Sequence, residues 1–504
     1  MKKLLYAIYP FLIACYPVLA LRNYNIIYVD FASIFRTLLV VITITITIWL
    51  VLYILFRDWA KSGVVTGLTM IMIMSYGHIH TQSAALFGEP IRHTYLIVFL
   101  AALYFVFVWL TKRSAAFVDT SRNFLVITSV VLFVMNLGQS LYYDYGTYQA
   151  SKLLSSQDQQ VEQSESSSQL PDVYLIILDA HGRQDVLKNN FGYDNSAFLQ
   201  TLQNLGFYVA SCSQSNYAST NLSLSSLFSM NYLPKDLGIT AKLPPLKETI
   251  LSKTLVSLGY TVIAFENRAS GHFDLKEDIH LSRNQFGLGK LNLSGGINEF
   301  EEVMFHTSII NFFLDTRIIP GFNEDSLIQL QNYEHYQQTK FILSKLADLP
   351  KMRGPKFVFA HIMVPHDPYI FTVDGKFKRL EDKSKDGYRD NAEYIDQGIL
   401  TSIKAIVAES ERPPIIVLMG DHGPPPGKFA TREDRMKNLD AYFVNSETAA
   451  DLYASITPVN SFRIIFNHYL GESNPLRDDV SYYAYKIKQL SKADVMENTC
   501  TATK

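Results

Sequence analysis

Five apolar runs crowd the N-terminal part of the chain, at about residues 5–21, 33–56, 62–78, 93–110 and 124–142. Each is close to the roughly 17–25 residues that an α-helix needs to cross a bilayer. A succession of such runs has no place in a soluble core, so residues 1–145 are expected to form a membrane domain of five transmembrane helices. The run "VVITITIT" would favour a strand in water. It lies inside "LLVVITITITIWLVLYILF", however, and in lipid every backbone N–H and C=O needs a partner within its own segment, so a helix is expected there too. Trp49, Trp59 and Trp109 fall near span ends, where an interfacial belt would put them.

An N-terminus on the inner side leaves Lys2, Lys3, Arg57, Lys61, Lys112, Arg113 and Arg122 in the cytoplasm, against Arg22, Arg36 and Arg92 outside. The basic excess favours that orientation. Five spans then carry everything after residue 143 to the outer face. The expectation is a multi-pass protein of the cell (inner) membrane with its large domain on the extracytoplasmic or periplasmic side. An alternative comes from Leu12, Ile13 and Ala14 before Cys15, which look like a lipoprotein signal. Cleavage and lipidation there would leave four spans and the same outer location for the rest. The apolar continuation "YPVLAL" favours a span.

The formal net charge of −2 gives no basic excess to neutralise phosphates, so nucleic acid is not an expected partner. The three cysteines, Cys15, Cys212 and Cys500, include no CxxC pair, which excludes a thiolate metal site of the usual spacings. A Cys212–Cys500 disulfide stays open.

Residues 146–170 read as a flexible linker, Ser-, Gln- and Glu-rich from "ASKLLSSQDQQ" onward, with a reach of roughly 25 Å that keeps the next domain near the membrane. From 171 to 490 the pattern is α/β. The runs "VYLIIL", "YTVIAF", "KFVFAHI" and "PIIVLMG" are nearly all apolar, as strands covered on both faces should be. Helical patterns such as "NSAFLQTLQNLG" and "YIDQGILTSIKAIVAES" lie between them, so a sheet sandwiched by helices is expected. Residues 280–350 and the stretch after 485, which includes the tail at 491–504, carry no assignable role.

Chemistry gathers where strands end: Asp179 after "YLIIL", His361 and His366 in "FVFAHIMVPHDPY", and Asp421-His422 after "IIVLMG". Crevices in open α/β sheets lie beyond the carboxyl ends of strands, so these positions can converge. Asp179, Asp421 and His422 suit one divalent ion, Zn²⁺ or Mn²⁺, with Mg²⁺ or Ca²⁺ as alternatives. "GDHGPPP" alone would serve equally as a turn. In "STNLSLSSLFS" the apolar Leu224, Leu227 and Phe228 recur at helical spacing, so a helix starts near Thr220, whose hydroxyl stands where free N–H groups and the positive dipole end favour an anion. Metal coordination would activate that hydroxyl. On this stretch alone, a plain capping role for Ser219 or Thr220 is the simpler reading.

The order of Asp179 at a strand end, Thr220 at a helix start, His366 after a middle strand and "DHG" after a late one resembles the sulfatase-like branch of the alkaline phosphatase superfamily. In layout it is similar to the membrane-anchored lipoteichoic acid synthases and lipid A phosphoethanolamine transferases. That resemblance implies an alkaline-phosphatase/sulfatase-like α/β domain, with Thr220 as nucleophile and metal ligand beside Asp179, Asp421 and His422. It implies His366 at the phosphoryl group or leaving oxygen, with His361, Arg268 and His272 as substrate-binding candidates. The chain departs from the pattern in having Asp179 where Glu is usual and Glu266 where a His is expected. The Cys/Ser-x-Pro-x-Arg motif that sulfatases convert to formylglycine is absent around Thr220.

The resulting expectation is a metalloenzyme that transfers or hydrolyses a phosphodiester-derived phosphoryl group, with a membrane lipid or envelope glycan as donor or acceptor. A sulfuric ester hydrolase of the same fold and a noncatalytic envelope-binding protein are the alternatives.

Overall fold

The computed structural model describes residues 2–25, 29, 34–157, 170–234, 243, 245–266, 275, 277–281, 297 and 299–500. The chain forms two compact units, Met1–Gln149 with Phe286–Gln331, and Ala150–Gln285 with Asn332–Lys504.

The first unit contains α1 (Lys2–Tyr24), α2 (Phe35–Phe56), α3 (Trp59–Phe87), α4 (His93–Arg113) and α5 (Ala115–Gln157) as far as Gln149. All five are long and apolar enough to span a membrane. The threonines of α2 are accommodated by returning their hydroxyls to the preceding turn: Thr43 donates to the Leu39 carbonyl at 2.8 Å, Thr45 to Val41 at 2.6 Å and Thr47 to Thr43 at 3.0 Å. No hydroxyl donor of these three then faces hydrocarbon, and the β-branched run stays helical. Helices α1 and α3 approach closely at Gly63 and Gly67. A Cβ there would come within 2.8 Å of the Tyr9 hydroxyl and 3.1 Å of Ile13 Cδ1, the small-residue spacing that lets membrane helices touch.

Two parts of the chain depart from the expected boundaries. Helix α5 runs on to Gln157, into the segment read as linker. The helices Glu299–Thr307 and Ile310–Thr316, inside the span read as one α/β domain, belong to the helical unit. Ile309 donates its N–H to the Ile73 carbonyl of α3 at 2.7 Å. A Cβ at Gly77 would lie 2.0 Å from the His306 carbonyl oxygen, so glycine is required where this segment crosses α3.

The second unit is built on a seven-stranded sheet of β1 (Val173–Leu178), β2 (Tyr208–Val209), β3 (Thr261–Phe265), β4 (Ile279–Leu281), β5 (Lys356–Ile362), β6 (Ile415–Met419) and β7 (Asp440–Phe443), in the order β2-β7-β6-β1-β5-β3-β4. The four apolar runs of the sequence are its adjacent central strands β6, β1, β5 and β3, all parallel, while β7 is antiparallel to β6. Along β1, Val173, Leu175 and Ile177 enter one core with Leu224, Leu227, Phe228 and Phe462. Tyr174, Ile176 and Leu178 enter the other with Phe198, Ile395, Ile399 and Ile403. Alternate side chains thus face helices on both sides, which is why no polar alternation marks these strands.

The tail is secured. Strands β8 (Ser481–Tyr483) and β9 (Asp494–Met496) pair antiparallel, Asn498 Nδ2 donates to the Cys212 carbonyl at 2.7 Å, and Cys212 is disulfide-bonded to Cys500. The bridge closes a loop of 288 residues in sequence separation. Cys500→Ser should therefore cost about 2–4 kcal/mol, mainly by freeing the unfolded chain, read as a lower Tm under oxidising conditions and no difference from wild type under reduction.

Asp440, at the start of β7, is fully buried. Its Oδ2 accepts from the Tyr442 hydroxyl at 2.8 Å and from Ser213 Oγ at 3.2 Å, while Oδ1 has no partner. Burial pushes its carboxyl up to about 8 against those two hydrogen bonds, whereas an unfolded Asp titrates near 3.9. The folded state then holds the proton more tightly, so its stabilisation is present below pH ~4 and is lost as pH rises toward ~8. Asp440→Asn should flatten that slope in a Tm-versus-pH series.

Candidate active site

The sheet brings the strand ends together. Asp179 follows β1, His361 sits on β5 in register with Ile177, and Asp421 and His422 follow β6. The two loops beyond β1 and β6 abut so closely that a Cβ at Gly420 would lie 2.5 Å from the His181 carbonyl oxygen; within the β6–β7 connection, one at Gly423 would lie 2.2 Å from that of Asp434. Both glycines of "GDHG" are thus required by packing. Ala180 takes a left-handed conformation, φ 62°, which costs a non-glycine residue roughly 1–3 kcal/mol. In that conformation its N–H reaches Asp421 Oδ1 at 3.0 Å and its carbonyl accepts from the Tyr388 hydroxyl at 2.8 Å.

One ligand atom from each of Asp179, Asp421 and His422 lies within 4.8 Å of the others, and all three residues are buried. Asp179 Oδ1 and Asp421 Oδ2 have no hydrogen-bond partner. Asp421 Oδ2 comes within 3.1 Å of His422 Nε2 without the alignment of a hydrogen bond. Orphaned buried carboxylate oxygens are costly unless something compensates them, and two of them facing an imidazole nitrogen fit a divalent cation. His422 Nδ1 lies 3.1 Å from the Gly423 carbonyl, so the proton belongs on Nδ1 and the Nε2 lone pair faces inward. Burial, and then the Arg435 charge, hold its imidazole well below the ordinary value, keeping it neutral as a ligand must be. Burial and then the Asp179 charge push Asp421 up to about 6. Asp179 is buried as well, yet His366, His361 and His422 hold it below the usual carboxylate range.

Thr220 is the first residue of the helix Thr220–Ser229. Its Oγ1 lies 3.3 Å from His422 Nε2 and 3.5 Å from Asp179 Oδ2. Neither hydroxyl caps the helix: Ser219, at the N-cap, makes no side-chain capping bond and its Oγ is unpartnered. Of the hydroxyls that follow, Ser223 donates to the Tyr217 carbonyl at 2.8 Å and Ser226 to that of Asn231 at 2.9 Å.

His361 was expected at the substrate; it is buried, and its Nε2 meets Asp179 Oδ2 at 2.9 Å, so it faces a carboxylate of the ligand set. His366 donates its backbone N–H to the Asp179 carbonyl at 3.0 Å, its side chain about one-third exposed beside Asp367. Burial opposes its charged form, but Asp179 and Asp367 outweigh that and push it up to about 10. Arg268 and His272 lie outside the described residues.

Arg435 was not anticipated. Its Nη2 donates to His422 Nε2 at 2.8 Å, engaging the lone pair that an ion would take, so ligation by His422 requires Arg435 to yield that contact; its Nε donates to the Ala218 carbonyl at 2.9 Å, and it is buried. In "TREDRMKN" it reads as one charge in a solvated run, and nothing local marks it. A buried pair, His181 Nε2 with Asp396 Oδ1 at 2.8 Å, holds the loop after β1 from behind.

A family model described as Sulfatase matches residues 171–457, more than half of the chain. No curated protein matches. Among solved structures the chain is similar to the C-terminal periplasmic domain of EcEptC from Escherichia coli in complex with Zn, at 13% identity over 64% of this chain and 92% of that one, TM-score 0.42. It is similar to the integral membrane protein lipooligosaccharide phosphoethanolamine transferase A (EptA) from Neisseria meningitidis, at 12% identity over 90% and 94%, TM-score 0.36. It is also similar to the lipoteichoic acid synthase LtaP from Listeria monocytogenes, at 13% identity over 63% and 78%, TM-score 0.39.

Proposed function

The chain belongs to the sulfatase family, and on that footing we propose that it is a membrane-anchored phosphoryl-group transferase or hydrolase acting at the outer face of the cell membrane through Thr220. The observation that carries this reading is the Thr220 hydroxyl 3.3 Å from His422 Nε2 and 3.5 Å from Asp179 Oδ2, beside the buried Asp179, Asp421 and His422 group, in which two carboxylate oxygens have no hydrogen-bond partner. Phosphate is favoured over sulfate because Thr220 is followed by Asn-Leu-Ser-Leu, without the Cys/Ser-x-Pro-x-Arg motif. The Cys212–Cys500 disulfide supports the extracytoplasmic side, since such bonds persist in oxidising compartments.

Asp179, Asp421, His422 and the Thr220 oxygen would hold one divalent ion, Zn²⁺ or Mn²⁺ being best suited to two carboxylates and an imidazole. When bound, the ion supplies Lewis-acid charge that lowers the pKa of the hydroxyl and offsets charge developing on the phosphoryl oxygens. Thr220 Oγ passes its proton to solvent as it attacks phosphorus and recovers one when the group leaves it; the bond to the first leaving oxygen breaks, and His366 donates a proton to that oxygen. A hydroxyl of an acceptor, or water, then takes the group from Thr220, returning a proton to His366. The free N–H groups at the start of the Thr220–Ser229 helix and the Arg435 guanidinium favour the anionic group. The membrane anchor favours a lipid as donor or acceptor, with an envelope glycan as the other candidate.

His361 orients Asp179 in this scheme. His361→Gln should weaken metal affinity about 10- to 100-fold, measured by competition with a chelator, with Tm in excess metal nearly unchanged.

Purified protein in phospholipid vesicles, supplied with Zn²⁺ or Mn²⁺, should release or transfer labelled headgroup from a phosphodiester lipid and leave aryl sulfate esters intact. Hydrolysis of the sulfate esters with no phosphodiester turnover would refute the assignment.

A further inference from the structure

Residues Phe286–Gln331 belong to the helical unit, although the chain on either side of them belongs to the other. The helices Glu299–Thr307 and Ile310–Thr316 of this segment meet the spans at one end, where α1 and α3 finish and α2 and α4 begin. Arg36, in the first turn of α2, donates from Nε to Glu301 Oε1 at 2.6 Å and from Nη2 to Oε2. Asp315 Oδ2 is hydrogen-bonded at 3.0 Å to Nε2 of His93, the first residue of α4. Phe312 packs edge-on against Tyr76 of α3, with ring centroids 6.2 Å apart.

Helix lengths set the level of these contacts in a bilayer. Helix α4 has 21 residues, about 30 Å at 1.5 Å per residue, which is one hydrocarbon thickness. His93 therefore stands at a boundary with the headgroups. The Ile309 N–H reaches the Ile73 carbonyl, about 21 Å along α3 from Trp59 at its other end, so the bend between the two helices lies at hydrocarbon depth. Backbone at that depth needs a partner for every N–H. Each N–H at the bend has one: Ser308 bonds the Phe305 carbonyl at 3.2 Å, Ile309 that of Ile73 at 2.7 Å, Asn311 that of Ser308 at 3.2 Å, and Ile310 the Ser308 hydroxyl at 3.3 Å.

Past the bend the chain exposes apolar side chains. Ile318 and Ile319, in the turn after Ile310–Thr316, are 62% and 45% exposed. Three residues of extended chain from Asp315 reach at most about 10 Å, so Ile318 stays near the level of His93. On α4 the exposed Tyr95, Val98 and Phe99 begin directly after His93, a surface whose solvent in a bundle of spans is lipid. The two isoleucines stand at the upper edge of that apolar zone. Beside them Arg317 pairs with Asp325 at 2.9 Å, both side chains exposed. Charge held at headgroup level next to an apolar tip is the arrangement of an interfacial anchor.

We propose that residues 299–331 form a membrane-inserted element. The bend at Ser308 and Ile309 enters the hydrocarbon layer near that boundary, and Ile318 and Ile319 dip into the phospholipid of the same leaflet. The second unit continues from both ends of this segment, so it gains an attachment to the bilayer additional to the chain through α5. This inference does not depend on the catalytic reading.

Wild-type protein reconstituted in phosphatidylcholine vesicles that carry a photoactivatable diazirine in the acyl chain provides the test. After illumination and digestion, lipid adducts are expected on the peptide holding Ile318 and Ile319 as well as on α4. Adducts on α4 with none between residues 299 and 331 would overturn the proposal. Depth is read on a nitroxide attached to Ile318→Cys, in protein that also carries Cys15→Ser, by collision with oxygen against a water-soluble nickel chelate. An excess of oxygen collisions is the expected result. An excess of nickel collisions overturns the proposal, and so does protection from both, the outcome of a contact with a second copy of the chain. The wild-type photolabelling decides the matter should the labelled variant fail to fold.

Discussion

Thr220→Ala is expected to lower kcat/KM for phosphodiester turnover by at least ~10⁴-fold, the scale seen when a covalent nucleophile is removed. That loss corresponds to about 5.5 kcal/mol of transition-state stabilisation. The fold should survive. Thr220 is only partly buried, neither it nor Ser219 caps the helix with its side chain, and the helix is held by Leu224, Leu227 and Phe228, which are 0–1% exposed. Removing one hydroxyl from such a position costs less than about 1 kcal/mol. Thr220→Ser keeps an oxygen at the same place and should retain measurable turnover. A capping residue would give the opposite pattern, with stability lost and turnover kept, so activity and Tm measured on the same samples separate the two readings.

Asp421→Asn is expected to weaken metal affinity by more than ~100-fold, beyond the range of an outer partner, and to abolish turnover with it. The amide keeps an oxygen to accept the Ala180 N–H now bonded to Oδ1, so the left-handed turn at Ala180 stays supported. The negative charge is lost, and with it the repulsion from Asp179 that helps push Asp421 up to about 6. Metal-free protein should therefore gain stability while the metal-dependent rise in Tm disappears, because a ligand stabilises only the state it binds. Parallel Tm measurements with and without metal, wild type against variant, read both effects.

The central strands were readable in the sequence because both faces of β1 meet helices, and α2 because its length outweighs its threonines. The strand-end residues Asp179, Asp421 and His422 were readable because the ends of β1 and β6 adjoin in the sheet. Arg435 was hidden, since burial of one charge inside a charged run depends on packing from Ala218 and Gly423. The pairing of His361 with Asp179 depends on strand register, which apolar runs leave undetermined. The left-handed Ala180 had no glycine to announce it, and the grouping of Phe286–Gln331 with the spans rests on contacts far apart in sequence.

The central claim is that Thr220 carries the transferred group between donor and acceptor. Metal-loaded protein incubated with an isotopically labelled phosphodiester donor, without acceptor, and quenched in acid should yield a peptide containing Thr220 with the mass and label of the group attached to that residue. Addition of acceptor before quenching should discharge it. Sustained turnover with no label on Thr220 at any time, and with Thr220→Ala turning over at the wild-type rate, would contradict the account.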